Sequence, residues 1–271
     1  MKIVIEIVKK TFKRVPLPKG RGINKGKMNI LLAATGSVAA IKYWHLFSDL
    51  LKIGDVKGVL TDKAKFFTDK SKFFINNIDN ETYNEINNNN KIYTEKDEWE
   101  WYSIGNRINH IELKDWADIL VIAPLSANTL TKMSVGICDN LLTSIYYAWP
   151  KNKNIVVAPA MNTDMWNNRL TREHISELEN RHTYCRKLTE EEESCYDQNK
   201  GYINFKKTAY QKIEKGLFSS VVSINRFKVV EPVEGKLACG TTGIGAMAPL
   251  SDIVQAVKDY GASKTQRKCV H

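Results

Sequence analysis

The run Asn29-Ile-Leu-Leu-Ala-Ala-Thr35 constrains this chain most. It leaves no polar face between Asn29 and Thr35, and Gly36-Ser37 ends it before it reaches helical length. Such a segment is stable only as a strand covered on both sides. Val38 to Leu51 follows at helical spacing, and Val56 to Thr61 is a second strand candidate. Ala117 to Ala123 is a third, followed by a long helical stretch from Asn128 to Trp149. Asn154 to Pro159 is a fourth, and Phe227 to Val230 a fifth. Apolar strands alternating with helices define an α/β fold, an open parallel sheet with helices on both faces. Ligands of such sheets bind beyond the carboxyl ends of the strands, so the chemistry is sought there.

The rest of the chain is organised around that core. Residues 1–27 carry nine Lys/Arg against Glu6 alone and are broken by Pro16, Pro18 and three glycines, so they read as a basic extension. The formal net charge of +10 is therefore largely a property of this tail: residues 28–179 hold 16 basic and 19 acidic side chains. A phosphate-binding face for nucleic acid needs basic residues gathered on a folded surface, and none are gathered here. Residues 28–271 read as one domain with two insertions. Near 76–90, eight of fifteen residues are Asn, too polar to bury a core. Near 180–225 no period is evident, and this second insertion is expected to be partly helical. Five widely spaced cysteines without a CxxC pair fit free thiols in a reducing, cytoplasmic setting. No secretory signal or membrane span is expected, while the basic tail leaves organelle import open.

Each strand end carries a motif with two readings. Thr35-Gly36-Ser37-Val38 lacks the GxGxxG of dinucleotide sites, yet offers a tight turn, a hydroxyl and N–H groups suited to one phosphate. Ser37 could equally be a plain helix cap. Pro124-Leu-Ser126-Ala127-Asn128-Thr129 can hold a phosphate, a ribityl chain or a ring edge, or simply cap the next helix. In Pro159-Ala160-Met-Asn162-Thr-Asp-Met-Trp166 an Asn is bracketed by residues too apolar for a solvent loop, though Asn162 could serve only a turn. His110, in Asn-His-Ile-Glu-Leu, carries an imidazole, the side chain most used as a general base, and is a candidate base or a surface residue. Leu237-Ala-Cys239-Gly240 lies in a glycine-rich stretch that can form a flap, where a thiol can deliver a proton or merely pack. Cys138 reads as buried packing within a helical apolar stretch. His182, Cys185 and Cys195 lack metal-ligand spacing, so no metal is expected. Trp99, Trp101 and Tyr102 are core or interface.

Together these motifs, in this order, resemble the phosphopantothenoylcysteine decarboxylases of the homo-oligomeric flavin-containing cysteine decarboxylase superfamily. The resemblance covers Asn29 to Thr61, Tyr93 to Leu178 and Val229 to Met247, and skips the tail and both insertions. It implies a flavodoxin-like (Rossmann-like) flavoprotein that uses FMN to convert 4′-phosphopantothenoylcysteine to 4′-phosphopantetheine and CO2 in coenzyme A biosynthesis. In such enzymes the flavin oxidises the substrate to a thioaldehyde, CO2 leaves as an enethiolate forms, and the flavin returns the electrons. On this chain the resemblance makes His110 the base at the substrate thiol, Asn162 the holder of the carboxylate and Cys239 the proton donor. The implied FMN contacts are Gly36, Ser37, Val38, Thr61, Ser126, Ala127, Asn128, Thr129 and Ala160. A homotrimer with active sites between subunits is also implied. The family usually has a small hydroxyl residue near Ala64, so one flavin contact departs from the pattern.

Two relatives of the family are rivals. A peptidyl-cysteine decarboxylase would share His110 and Asn162 but need not keep the Cys239 segment, since it stops at the enethiol. A regulatory protein that inhibits a phosphatase can divide the His and Cys between chains, whereas here one chain holds both.

Overall fold

Strand β1 (Met28–Ala34) is buried along its last five residues and lies at the centre of the sheet. The computed structural model describes residues 27–71, 92–99, 108–187, 196–197, 202–203, 211–212 and 221–261. The basic extension and the Asn-rich insertion fall outside these, apart from Lys27. After β1 come a 3-10 turn (Val38–Lys42), α1 (Tyr43–Leu51), β2 (Gly54–Leu60), α2 (Asp62–Ser71), β3 (Ile92–Tyr93), α3 (Glu95–Trp99), α4 (Asn109–Trp116) and β4 (Ile119–Leu125). Then follow α5 (Ala127–Val135), α6 (Leu141–Tyr147), β5 (Asn154–Pro159), α7 (Thr163–Asn167) and α8 (Arg169–Arg181).

The main sheet runs β11 (Phe227–Val229)-β5-β4-β1-β2-β3, and every pairing in it is parallel. Without the two-residue β3 this is the flavodoxin-like order, reversing direction between β1 and β4. The fold class expected from the apolar runs is the one observed. Alternation along β1 sends Ile30, Leu32 and Ala34 into one core with α1 and the C-terminal helix α9 (Leu250–Gly261). Leu31 and Ala33 enter a second core with α4, α5, α6 and α8. Both faces are therefore covered, which is why the strand needs no polar side.

Two expectations are corrected. The stretch from Asn128 to Trp149 is two helices: Gly136 adopts φ +81 and ends α5, and its N–H and that of Ile137 both reach the Lys132 carbonyl. Asn140 and Thr143 then form a reciprocal capping box that starts α6. Cys138 sits in this break and is exposed, not buried in a helix. Around 180–225 most residues lie outside those described, and the described ones beyond Arg181 include β6 (Thr183–Lys187), β9 (Gln211–Lys212) and β10 (Val221–Asn225), which form an antiparallel sheet. Beside it β7 (Tyr196–Asp197) pairs with β8 (Tyr202–Ile203). Between β11 and α9 a hairpin of β12 (Val233–Lys236) and β13 (Thr242–Ala246) stands off the main sheet. Among the described residues no helix is long and apolar enough to cross a membrane.

Candidate active site

One buried side chain ties the ends of β1 and β4 together. Thr35 donates its hydroxyl to the Pro124 carbonyl at 2.8 Å and accepts the Ser126 N–H at 2.7 Å. The Thr35 N–H reaches the same carbonyl at 3.1 Å. The reversal point of the sheet is thus fixed by three hydrogen bonds across the two strands. Around it stand hydroxyls that cap helices. Ser37 accepts the Ala39 N–H at 3.4 Å, Ser126 the Thr129 N–H at 3.4 Å, and Thr61 the Ala64 N–H at 3.3 Å. Capping and ligand binding do not compete here, because the same residues also line cavities.

A cleft of about 680 Å³ opens at this point, a size suited to a small-molecule site. Gly36, Ser37, Val38, Ser126, Ala127, Asn128, Ala160, Asn162 and Cys239 all line it. A second recess of about 510 Å³ shares Gly36, Ser126 and Asn128 with the cleft and adds Thr61 and Thr129. Every expected flavin contact therefore borders one of two adjoining cavities. Ala64 is fully buried in the core, where it contributes packing and no hydroxyl.

FMN requires donors for one phosphate and an apolar slot for its ring, and these residues fit it. The first N–H groups of α5 have no partner within the helix and carry its positive end. Ser37, Thr61, Ser126 and Thr129 add hydroxyls, while Val38, Ile41, Met161 and Met247 make an apolar wall. A side chain at Gly36 would bring its Cβ within 2.6 Å of Lys63 Cβ, so the wall is closed to anything larger than glycine.

Asn162 and Cys239 come together through the hairpin. Asn162 caps α7, its Oδ1 accepting the Met165 N–H at 3.0 Å, which leaves its NH2 as the donor toward the cleft. The hairpin lies tightly on this turn. The Met161 N–H donates to the Gly245 carbonyl at 3.0 Å, and a Cβ on Gly245 would stand 2.2 Å from the Met161 carbonyl oxygen. A Cβ on Gly243 would meet Thr163 Oγ1 at 2.3 Å. Cys239, fully exposed at the tip, has its Sγ 3.0 Å from Thr241 Oγ1. Hydrogen bonds from the Thr241 hydroxyl and N–H, with a smaller one from the Asn162 amide, hold the thiol below its ordinary pKa.

His110 lines neither cavity. It lies in the first turn of α4, where its Nδ1 is 2.5 Å from Glu98 Oε1 on α3. Trp99 beside it is largely exposed, and Ile108 and Ile111 are also exposed; Trp101 and Tyr102 lie outside the described residues. Within one chain the structure therefore brings Asn162 and Cys239 together and leaves His110 apart.

Sequence reasoning missed Thr35 as the tie between strands, Thr241 as the partner of Cys239, and Glu98. Thr241 is two residues from the thiol and could have been suspected. Glu98 is twelve residues from His110, a spacing with no local periodicity to betray it.

A reversal-point cleft with donors for one phosphate and an apolar slot for a ring defines a flavin-binding protein. The chain belongs to the Flavoprotein family, which matches residues 21–217, and it stands there alongside proteins named phosphopantothenoylcysteine decarboxylase. It is 38% identical over 239 residues to "Phosphopantothenoylcysteine decarboxylase HAL3" of Malus domestica, covering 88% of this chain and 85% of the relative. It is 36% identical over 243 residues to the Arabidopsis thaliana phosphopantothenoylcysteine decarboxylase, covering 89% of each. Among solved structures it resembles a mutant PPC decarboxylase complexed with pantothenoylaminoethenethiol, with a TM-score of 0.62 and 35% identity over 86% of this chain and 97% of that one. It also resembles "The FMN binding protein AtHal3", with a TM-score of 0.60 and 35% identity over 88% of this chain and 99% of the other.

Proposed function

We propose that this chain is a phosphopantothenoylcysteine decarboxylase, converting 4′-phosphopantothenoylcysteine to 4′-phosphopantetheine and CO2 with FMN as cofactor. The observation that carries this reading is the seating of Cys239 on a glycine-packed hairpin against Asn162, in the cleft that fits the flavin. It favours the enzyme that completes the reductive half over a relative that stops at the enethiol.

Gly36, Ser37, Val38, Thr61, the stretch Ser126–Thr129 and Ala160 would hold FMN, which when bound supplies two-electron chemistry at the thiol-bearing carbon of the substrate. The protein's part is acid–base work and orientation. The His110 imidazole takes the proton of the substrate thiol. The Asn162 amide, fixed by its capping bond, donates to the substrate carboxylate and aims it for loss as CO2. The Cys239 thiol delivers a proton to carbon in the closing step, and its lowered pKa makes it the better acid. The hairpin bearing it excludes water while the intermediate is reactive.

Since His110 lines neither cavity, we further propose a homotrimer in which the His110 of one subunit completes the cleft of the next. Exposed apolar groups on both sides support this: Trp99, Ile108 and Ile111 near the histidine, and Val38, Ile41 and Met165 at the cleft. A cytoplasmic location is proposed from the cysteine pattern alone, and cell fractionation tests it.

The deciding experiment is to purify the chain, record its absorption spectrum, and supply 4′-phosphopantothenoylcysteine. The expected result is yellow protein that releases CO2 and forms 4′-phosphopantetheine; colourless protein that cannot take up FMN would sink the assignment. Light scattering tests the trimer. Co-expressing His110→Asn with Cys239→Ser should restore about a quarter of wild-type turnover, the share of sites drawing one intact group from each variant. No restoration would place both groups in one subunit's site.

A further inference from the structure

We propose that Glu98 is the positioning residue for His110, holding its ring in the tautomer that leaves Nε2 as the basic nitrogen. The inference rests on the assignment of His110 as the base.

The Glu98 carboxylate grips the histidine twice. Oε1 lies 2.5 Å from His110 Nδ1, and Oε2 accepts the His110 N–H at 3.3 Å. The Glu98 side chain is only 7% exposed, against 26% for His110, so the pair has an inner acceptor and an outer ring. An ionised carboxylate can only accept hydrogen bonds, so Nδ1 carries the hydrogen. In neutral imidazole the other nitrogen, Nε2, then holds the lone pair. When Nε2 takes a proton, the imidazolium forms against a carboxylate already in place and needs no reorganisation.

A five-residue helix has little stability of its own, and α3 is held from several directions. The Asp97 carboxylate accepts the Thr94 N–H at 2.6 Å and the Thr94 hydroxyl at 2.8 Å, closing its first turn. The Asn109 amide donates to the Asp97 carbonyl, tying α3 to the start of α4. On the other side Glu95 Oε2 accepts the Leu141 N–H at 2.5 Å, tying α3 to α6, while Oε1 accepts Trp99 Nε1–H at 2.9 Å. Glu98 is thus presented on a fixed element, and both its oxygens face the residue after Asn109.

The test uses Glu98→Gln in the flavin-loaded protein. Gln keeps the volume, but one end of its amide is a donor and cannot serve both His110 groups. With FMN content unchanged, kcat should fall about 10- to 100-fold, the weight of a carboxylate that orients a metal-bound histidine, with KM held within about twofold. Unchanged kcat overturns the proposal, and so does a rise in KM with kcat intact. A wild-type protein that releases no CO2 counts instead against the decarboxylase reading, and normal turnover by His110→Asn counts against the base. A second measurement needs no Glu98 variant to fold. Solid-state 15N spectra of histidine-labelled wild type, with His110→Asn identifying the signal, should show the hydrogen on Nδ1; a hydrogen on Nε2 at neutral pH overturns the assignment.

Discussion

The two sides of the cleft are built on opposite principles. On the side of β1 and β4, backbone groups and hydroxyls are locked by bonds that cross the sheet, and Thr35 alone makes three of them. On the side of β12 and β13, a two-stranded hairpin rests on the Met161–Thr163 turn through glycines, with a fully exposed thiol at its tip. The first side suits a cofactor that stays, because its donors are oriented before any ligand arrives. The second suits a group that acts once per turnover and must also let product out. Changes to the first side should therefore register as loss of flavin and stability, and changes to the second as altered products with the flavin retained.

The largest effect should come from the thiol itself. Cys239→Ser is expected to keep its yellow colour and to release CO2, while formation of 4′-phosphopantetheine falls by about 10²- to 10⁴-fold, the usual weight of a positioned proton donor. The oxidised enethiol should form at one equivalent per flavin, with dioxygen as the oxidant for any further turnover, and be visible by mass spectrometry. Wild-type product yield would remove the distinction between the two sides.

Next in size is Gly245→Ala, which acts on the seat of the hairpin. The new Cβ would fall 2.2 Å from the Met161 carbonyl oxygen, at a φ of +146 that side chains rarely adopt. The hairpin must shift, and a displacement near 1 Å is enough to lower turnover by about 10²-fold with FMN content unchanged. Gly240→Ala is the control: φ there is +88, yet nothing lies within 4 Å of a Cβ, so the strain stays local and turnover should change far less. Equal losses in both variants would show that backbone strain, not seating, sets the rate.

On the locked side, Thr35→Val removes the hydroxyl and leaves the half-buried Ser126 N–H without its acceptor. The cost should be about 1–3 kcal/mol of unfolding stability, with weaker FMN retention measured by dialysis. A protein that holds flavin as firmly as wild type would mean that the tie between β1 and β4 is dispensable.

How much of this was legible in the sequence follows the same division. The core strands could be read because burial on both faces writes an uninterrupted apolar run, as in Ile30 to Ala34. The cradle could be read because its residues sit at strand ends in contiguous motifs. The break between α5 and α6 was missed because the apolar stretch conceals a left-handed Gly136 and an Asn140 cap. The strands at 183–187 and 221–225 were missed because their pairing joins residues far apart in the chain. Glu98 was missed for the same reason on a shorter scale, since nothing local links it to His110. The separation of His110 from the cleft was legible only through the family resemblance, as sequence spacing carries no record of which cavity a side chain borders.

The smallest effect is a displacement in pH rather than a loss of rate, and it isolates the hairpin's chemistry from its seating. The Thr241 hydroxyl is the first cause of the lowered Cys239 pKa, followed by the Thr241 N–H. A proton donor works only while it carries its proton, so product formation should fall as pH rises through the thiol's pKa. Thr241→Val removes the hydroxyl bond, which stabilises the thiolate, and keeps the N–H. The pKa should then move up toward the ordinary thiol value, and the alkaline limb of 4′-phosphopantetheine formation should follow it to higher pH. CO2 release in a single turnover, which needs no proton from Cys239, should keep its own alkaline limb. A joint shift of both limbs would mean that Thr241 acts on the whole hairpin, whereas movement of the product limb alone would tie the pH dependence to the one exposed sulfur.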